Sequence, residues 1–125
     1  MTENTPSLKI KLEGSKKFLQ NADLKEADLE GADLQGAELG GADMSGANLK
    51  KIFLSEAKIS KANLSEANLT EANLSGADLN KSNLGGSNMQ QVYLRRADLR
   101  GANLSDTNLC KANLRECAMF KAWIK

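Results

Sequence analysis

The feature that most constrains this chain is a hydrophobic residue that recurs every five positions, without a slip, from Leu24 to Ile124. Of these 21 positions, 16 hold Leu, three hold Met and two hold Ile. Ala stands two residues before the hydrophobic residue in 15 cases, and Asn or Asp lies between the two in 15 cases. Aromatic residues make up only 4% of the chain. The sequence therefore predicts one repetitive structure with a narrow, uniform core.

A period of five fits neither a straight helix nor a straight strand. On an α-helix five residues advance about 500°, so the leucines would spiral around the helix axis. On a flat strand an odd period would send successive leucines to opposite faces. A short extended piece with Ala and Leu inward and Asn or Asp outward, followed by a two-residue turn, satisfies the pattern. The repeat thus predicts a coil with a corner every five residues. In each five-residue repeat, or word, the two remaining positions often hold Gly, Ser, Lys or Glu, which suit solvated corners.

The stretch ANLSEANLTEANLSGADL, from Ala62 to Leu79, resembles the pentapeptide repeat family, whose pattern is A(N/D)LXX. The resemblance covers Ala22 to Ile124. It implies an all-β fold, a right-handed quadrilateral parallel β-helix with four repeats per coil, and therefore about five coils. We expect residues 22–125 to form this β-helix and residues 1–21 to form a capping segment over its first coil, because an open coil end exposes apolar surface.

The composition argues against catalysis and against a metal or cofactor site. The chain contains no His, the usual general base and the commonest metal ligand. Its two cysteines, Cys110 and Cys117, have neither a zinc-site spacing nor a disulfide framework and are predicted to be free thiols. These features lead us to expect a non-enzymatic protein without cofactors. The chain has no signal-peptide pattern and no apolar run of membrane-spanning length, so we expect a cytoplasmic protein without membrane association. The family resemblance implies a bacterial protein.

Two large aromatic residues interrupt the outward Asn/Asp positions in the middle of the chain. Phe53 and Tyr93 are 40 residues apart, so four repeats per coil would place them on one wall, two coils apart, with Asn73 between them. Arg95 and Arg96 follow Tyr93 at the corner. Aromatic residues and Arg concentrate binding energy at interfaces. The pattern predicts a surface for an acidic protein partner, formed by Phe53, Tyr93, Arg95, Arg96 and Arg115.

An alternative explanation of these two aromatic residues is a local packing adjustment. Ile52 and Val92 replace Ala at the inward position on the same two words. Elsewhere the outward asparagines fall into columns 20 residues apart, which we expect to form ladders with side-chain hydrogen bonds along the axis.

The last repeats concentrate apolar residues at Met119, Phe120, Trp123 and Ile124. Two arrangements would hide them from water. Either they fold over the end of the coil, or they meet a second copy and form a homodimer through the C-terminal coil.

Two functions are consistent with the pattern. The first is a non-enzymatic interaction scaffold, a stiff rod that presents a surface to a protein partner. The alternative, which the resemblance implies, is a DNA mimic that binds DNA gyrase or topoisomerase, as quinolone-resistance proteins of this family do. A formal net charge of +1 and the absence of Phe from the inward leucine positions argue against mimicry, and the lack of overall basicity argues against nucleic-acid binding.

Overall fold

The computed structural model describes residues 5–124, and its main feature is a coil that repeats every 20 residues. Each outward residue forms a parallel β-bridge with the residue 20 positions later. The longest column runs through Asp23, Asp43, Asn63, Asn83, Asn103 and Trp123. Within residues 5–124 the pairing consists of isolated bridges rather than longer strands, because each five-residue word spends most of its length on a corner. Four words fill one 20-residue step, so the coil has four walls.

The corners are β-turns with a left-handed residue at their third position. The N–H of each small inward residue bonds the carbonyl three residues earlier, as Ala67 does with Leu64 at 3.2 Å. The residue before it has a positive φ at all 21 corners from Asn21 to Lys121. A positive φ at that position is the mark of a type II turn. Glycine occupies only seven of these corners, and residues such as Lys61 and Glu66 adopt φ of 59° at others.

In the interior coils, backbone hydrogen bonds use four of the five N–H groups in each word. In the word at 63–67, Asn63 donates to the preceding coil at 2.9 Å. Leu64 and Glu66 donate to the following coil at 2.7 and 2.9 Å, and Ala67 closes the turn. Each coil is therefore held by both of its neighbours through regularly repeated bonds.

The outward Asn or Asp satisfies the fifth N–H. Asn63 accepts the backbone N–H of Ser65 through Oδ1 at 3.0 Å, and Asn73 accepts that of Ser75 in the same way. This bond recurs along the whole coil, from Asp23 to Asn113. Asn and Asp side chains commonly bond the backbone N–H two residues later and so stabilise a turn, which gives the preference for Asn and Asp a local cause at the corner.

Hydrogen bonds between outward Asn and Asp side chains of neighbouring coils are fewer than the predicted ladders would require. Asn103 Nδ2 donates to Asn83 Oδ1 at 3.1 Å, and Asn48 Nδ2 donates to Asp28 Oδ1 at 3.1 Å. The corner bond to the backbone is the recurrent interaction. An outward oxygen that already accepts the N–H of its own corner is held in place by that bond. It is therefore less free to accept a hydrogen bond from the outward residue of the next coil.

The core is the column of inward side chains. Every large inward residue from Leu24 to Leu104 is at most 6% exposed. Among the small inward positions, the Ser82 hydroxyl donates to the Leu79 carbonyl at 2.8 Å, whereas the buried Ser87 hydroxyl has no partner. At about 25 cal/mol per Å², burying one Leu side chain contributes roughly 2–3 kcal/mol, so the Leu column dominates the folding free energy.

An α-helix, α1, lies against the first coil at Thr5–Glu13, followed by a 3₁₀-helix at Lys16–Phe18. Leu12 is buried in the core cluster. The Glu13 carboxylate accepts the N–H of Asp33 at 2.7 Å, and the Lys16 carbonyl accepts that of Glu38 at 2.8 Å. The all-β description therefore applies only after these helices. Within residues 5–124, no helix is long and apolar enough to cross a bilayer.

Candidate functional site

Phe53 and Tyr93 stand on one wall of the coil, as their spacing predicted. The aromatic wall is the column of outward residues linked by bridges through Asp33, Phe53, Asn73, Tyr93 and Asn113. The Phe53 and Tyr93 residues are 44% and 50% exposed. With Asn73 between them, they line a cleft of about 360 Å³, the aromatic cleft, whose other lining residues are Lys51, Glu71 and Ser75.

The inward neighbours of these aromatic residues are fully buried. Ile52 and Val92 are 0% exposed and belong to the core cluster. The larger inward residues therefore fill the interior, while Phe53 and Tyr93 remain half exposed on the opposite side of the chain. A packing role limited to the interior does not account for two aromatic side chains outside it.

Phe53 and Tyr93 also give up the hydrogen bond that the repeat provides at every regular corner. Their side chains have no oxygen that could accept the N–H two residues later, as Asn73 does between them. A hydrogen bond of this kind contributes about 1 kcal/mol. Residues that break a local rule in this way are typical of functional sites.

Charged side chains surround the aromatic cleft and are partly paired. Lys51 Nζ lies 3.8 Å from Glu71 Oε2 at its rim. At the next corner, Arg95 Nε lies 3.3 Å from Glu116 Oε1, and Arg96 Nε lies 3.6 Å from Glu116 Oε2. Each arginine contacts Glu116 through Nε, so the two terminal NH2 groups of its guanidinium keep four N–H donors.

A second, smaller cleft adjoins the first around the corner. This arginine groove has a volume of about 170 Å³ and is lined by Glu56, Ser75, Gly76, Arg95 and Arg96. Ser75 lines both clefts. Gly76 lies under the Glu56 carboxylate, which would collide with a Cβ at that position. The two clefts therefore follow one coil, with small residues as the floor and large residues on both neighbouring coils.

The structure thus brings together four of the five residues of the predicted surface. Phe53 and Tyr93 line the aromatic cleft, and Arg95 and Arg96 line the arginine groove. Arg115 lies one coil beyond Arg95, outside the lining of both clefts. Sequence reasoning placed Asn73 between the two rings but missed the other lining residues, which could have been found by comparing positions 20 residues apart: Lys51, Glu56, Glu71, Ser75 and Gly76.

The apolar residues of the last repeats are exposed in residues 5–124. Phe120, Trp123 and Ile124 are 72%, 65% and 63% exposed, and Met119 is partly buried against the core. The Lys121 ammonium lies 5.4 Å from the centre of the Phe120 ring. These side chains do not fold over the end of the coil within the described residues. Cys110 is exposed, and burial raises the pKa of the Cys117 thiol.

Carboxylates at the corners are stabilised in their charged form. The N–H of Gln35 is the main cause that lowers the pKa of Asp33, on the aromatic wall. The hydroxyl and N–H of Ser45 lower the pKa of Asp43. Arg100, which donates to both Asp98 carboxylate oxygens at 2.8 Å, lowers the pKa of Asp98.

Comparison with known proteins agrees with this architecture. The sequence profile described as Pentapeptide repeats matches in eight copies, over residues 19–50, 54–86 and 79–116. No curated protein matches the chain at a significant level. Solved structures do, and those of this family are right-handed quadrilateral β-helices.

Three solved structures illustrate the range of similarity. The pentapeptide repeat protein Rfr23 from the cyanobacterium Cyanothece 51142 is 26% identical, with a TM-score of 0.78 over 93% of this chain and 96% of its own. A pentapeptide repeat protein from the Arabidopsis thaliana thylakoid lumen is 26% identical, with a TM-score of 0.54 over 84% of this chain and 68% of its own. Trypsin-treated QnrB1, a plasmid-mediated fluoroquinolone resistance protein, is 17% identical, with a TM-score of 0.54 over 86% and 67%. On the profile match and this shared coil, the chain belongs to the pentapeptide repeat family.

Proposed function

We propose that this chain is a non-enzymatic interaction protein, a rigid rod of about five coils that presents the aromatic wall to a protein partner. Pentapeptide repeat proteins are generally non-enzymatic structural repeat proteins. Solenoids of this kind use their extended faces for binding. The contact surface comprises Phe53, Tyr93, Arg95, Arg96 and Arg115.

The observation that carries this proposal is the exposure of Phe53 and Tyr93 around one cleft. Both residues replace an Asn or Asp that would complete the hydrogen bonding of its corner, and both leave about half of their surface to water. Large aromatic residues are enriched among those that contribute most to binding at protein interfaces. Burying two large aromatic side chains against a partner would recover the lost stability as binding energy.

The partner is expected to be acidic at the point where it meets the corner. Arg95, Arg96 and Arg115 carry three positive charges there, and Glu116 neutralises one of them. Arginine amines can hold a carboxylate with two parallel hydrogen bonds. Affinity should therefore fall as salt concentration rises.

Quantitative capture from the source cell with matched variants tests the proposal. The double variant Tyr93→Asn/Arg95→Ser should lose the partner, while Lys61→Ser/Asn63→Ala, which removes the same charge on another wall, should retain it. Urea denaturation of both variants checks that each is folded. A partner bound equally by both variants would rule out the aromatic wall as the contact surface.

We also propose that the last coil self-associates through Met119, Phe120, Trp123 and Ile124. The supporting observation is that three of these four residues, which lie within five positions of the sequence, are more than 60% exposed. Sedimentation at about 100 µM should show a dimer, since contacts of this apolar kind commonly form two-fold interfaces. Trp123→Ser should shift it to monomer. A monomer in which Trp123 fluorescence is already that of a buried indole would contradict this interface.

The gyrase-binding alternative gains no support from the likeness to QnrB1, which at 17% identity shows the fold alone. A DNA mimic needs a strongly negative surface, whereas this chain has a formal net charge of +1. A gyrase supercoiling assay separates the two functions. The interaction-protein proposal expects no protection of gyrase from a quinolone.

A further inference from the structure

The spacing of Phe53 and Tyr93 along the rod would accommodate one further aromatic ring between them. Phe53, Asn73 and Tyr93 are successive members of one bridged column. Parallel strands lie about 4.8 Å apart, so the backbones of Phe53 and Tyr93 are separated by about 10 Å. Aromatic pairs stack with ring centres about 4.5–7 Å apart. A ring inserted above Asn73 would therefore lie at stacking distance from both Phe53 and Tyr93.

The floor of the cleft is small and fixed. Asn73 is the shortest of the three outward residues, and its Oδ1 is held by the N–H of Ser75 at 3.0 Å. The Lys51–Glu71 ion pair borders the floor on one side. A volume of about 360 Å³ lies within the range of pockets that take a ligand group.

The arginine groove continues the aromatic cleft on one side. Ser75 joins the two, and Arg95 and Arg96 line the far side. Asn73 and Gly76 are three residues apart, which limits the distance between the two floors to about 10 Å. An extended peptide rises about 3.3 Å per residue, so two or three residues span about 7 to 10 Å, which is within this limit.

The arginine groove carries charges of both signs, and their positions determine which chemical group of a partner can bind there. Glu56 lies on the side opposite Arg96, and Glu116 contacts both arginines through Nε. The terminal amines of Arg95 and Arg96 remain as donors. A single carboxylate can accept from them, whereas a long acidic run would meet Glu56 and Glu71.

We infer that the aromatic cleft binds one aromatic side chain of a protein partner between Phe53 and Tyr93, and that a carboxylate two or three residues further along the partner meets Arg95 and Arg96. This inference rests on the proposed protein-binding function and names the segment that is recognised. The step from ring to carboxylate matches an extended peptide, which favours a protein segment over a free planar molecule.

A titration of the ¹⁵N-labelled protein with short capped peptides, followed by NMR, tests the inference. The peptide Gly-Trp-Ser-Glu-Gly should shift the amide signals of residues 73–76 and 93–96. Replacing its Trp by Leu should weaken binding at least 10-fold, and replacing its Glu by Gln should weaken it several-fold and remove the salt dependence. No shift with any peptide, or equal binding of the Leu peptide, would overturn the inference. So would equally tight binding of free indole or adenosine.

Filling the cleft from within the protein provides the matched variant. Asn73→Phe should complete a stack of three rings and reduce peptide binding at least 10-fold. Asn83→Phe places the same ring on another wall, in the column of Asn63 and Asn103, and should leave binding unchanged. Thermal melting should show both variants folded. If Asn73→Phe binds the peptide as wild type does, the ring does not enter between Phe53 and Tyr93.

These outcomes separate the inference from the proposed function. If the cellular partner depends on Tyr93 and Arg95 but Asn73→Phe still binds it, the aromatic wall is the interface and the ring insertion is wrong. If neither the double variant nor Asn73→Phe affects capture, both the proposed function and the inference are wrong.

Discussion

The aromatic wall and the wall opposite it have the same backbone and very different surfaces. The asparagine wall, formed by Asn63, Asn83 and Asn103, is bridged in the same 20-residue register as the aromatic wall. On it, every one of these outward residues bonds the N–H of the following corner. On the aromatic wall, Phe53 and Tyr93 cannot make this bond, and Asn73 between them can.

The comparison shows that the outward position tolerates variation at small cost. An inward replacement disturbs the packing of the coils above and below, whereas an outward replacement loses one local hydrogen bond. The surface of the coil can therefore carry binding residues without changing the core. The following variants test that division of labour.

The largest effect is expected for the core, and it should be the same under both walls. Leu74→Ala, beside Asn73, and Leu84→Ala, beside Asn83, should each lower the free energy of unfolding by about 2–5 kcal/mol, because both side chains are fully buried. Asn73→Ala and Asn83→Ala should each cost about 1 kcal/mol or less. Urea denaturation measures all four. Similar midpoints for the Leu and Asn variants would contradict the inward assignment of Leu.

An intermediate effect of opposite sign on the two walls is expected from exchanging their residues. Phe53→Asn and Tyr93→Asn restore an oxygen that can accept the corner N–H, so each should raise the free energy of unfolding by up to about 1 kcal/mol. Asn63→Phe and Asn103→Tyr remove that oxygen and should lower it by a similar amount. If Phe53→Asn and Tyr93→Asn are strongly destabilising, the aromatic residues serve packing rather than binding.

The smallest effect is expected from acid, and it should not distinguish the walls. The pKa values of Asp33, on the aromatic wall, and Asp43, in the column of the asparagine wall, are lowered in the folded protein by hydrogen bonds from their corners. A lowered folded-state pKa means that the carboxylate stabilises the fold above its ordinary pKa. This contribution is lost as pH falls through the lowered value.

Asp33→Asn and Asp43→Asn test this because an amide keeps the acceptor and does not titrate. Near pH 7 the melting temperature should change little. Between about pH 5 and pH 2 each variant should lose less stability than wild type does. A parallel decline of wild type and variants over that range would show that the corner carboxylates are not the titrating groups that matter.

The repeat allowed the register, the inward residues and the shared wall of Phe53 and Tyr93 to be predicted, because period and bridge spacing follow directly from the position of each Leu. It did not reveal that Glu116 contacts both Arg95 and Arg96, since long charged side chains are positioned by their rotamers rather than by the repeat. Helix α1 lies where the period is absent, so the sequence left its structure open. The repeat did not reveal that the outward Asn or Asp accepts a corner N–H, because this depends on which N–H of each word lacks a backbone partner.

The 20-residue register has a consequence for how such a chain can change in length. Duplicating four words adds a whole turn and leaves every later side chain facing the direction it faced before. Duplicating one word rotates everything downstream by a quarter turn. A single extra word between Phe53 and Tyr93 would leave the core intact and send the two rings to different sides of the rod. In this architecture, a small change of length redirects a surface more thoroughly than many substitutions do.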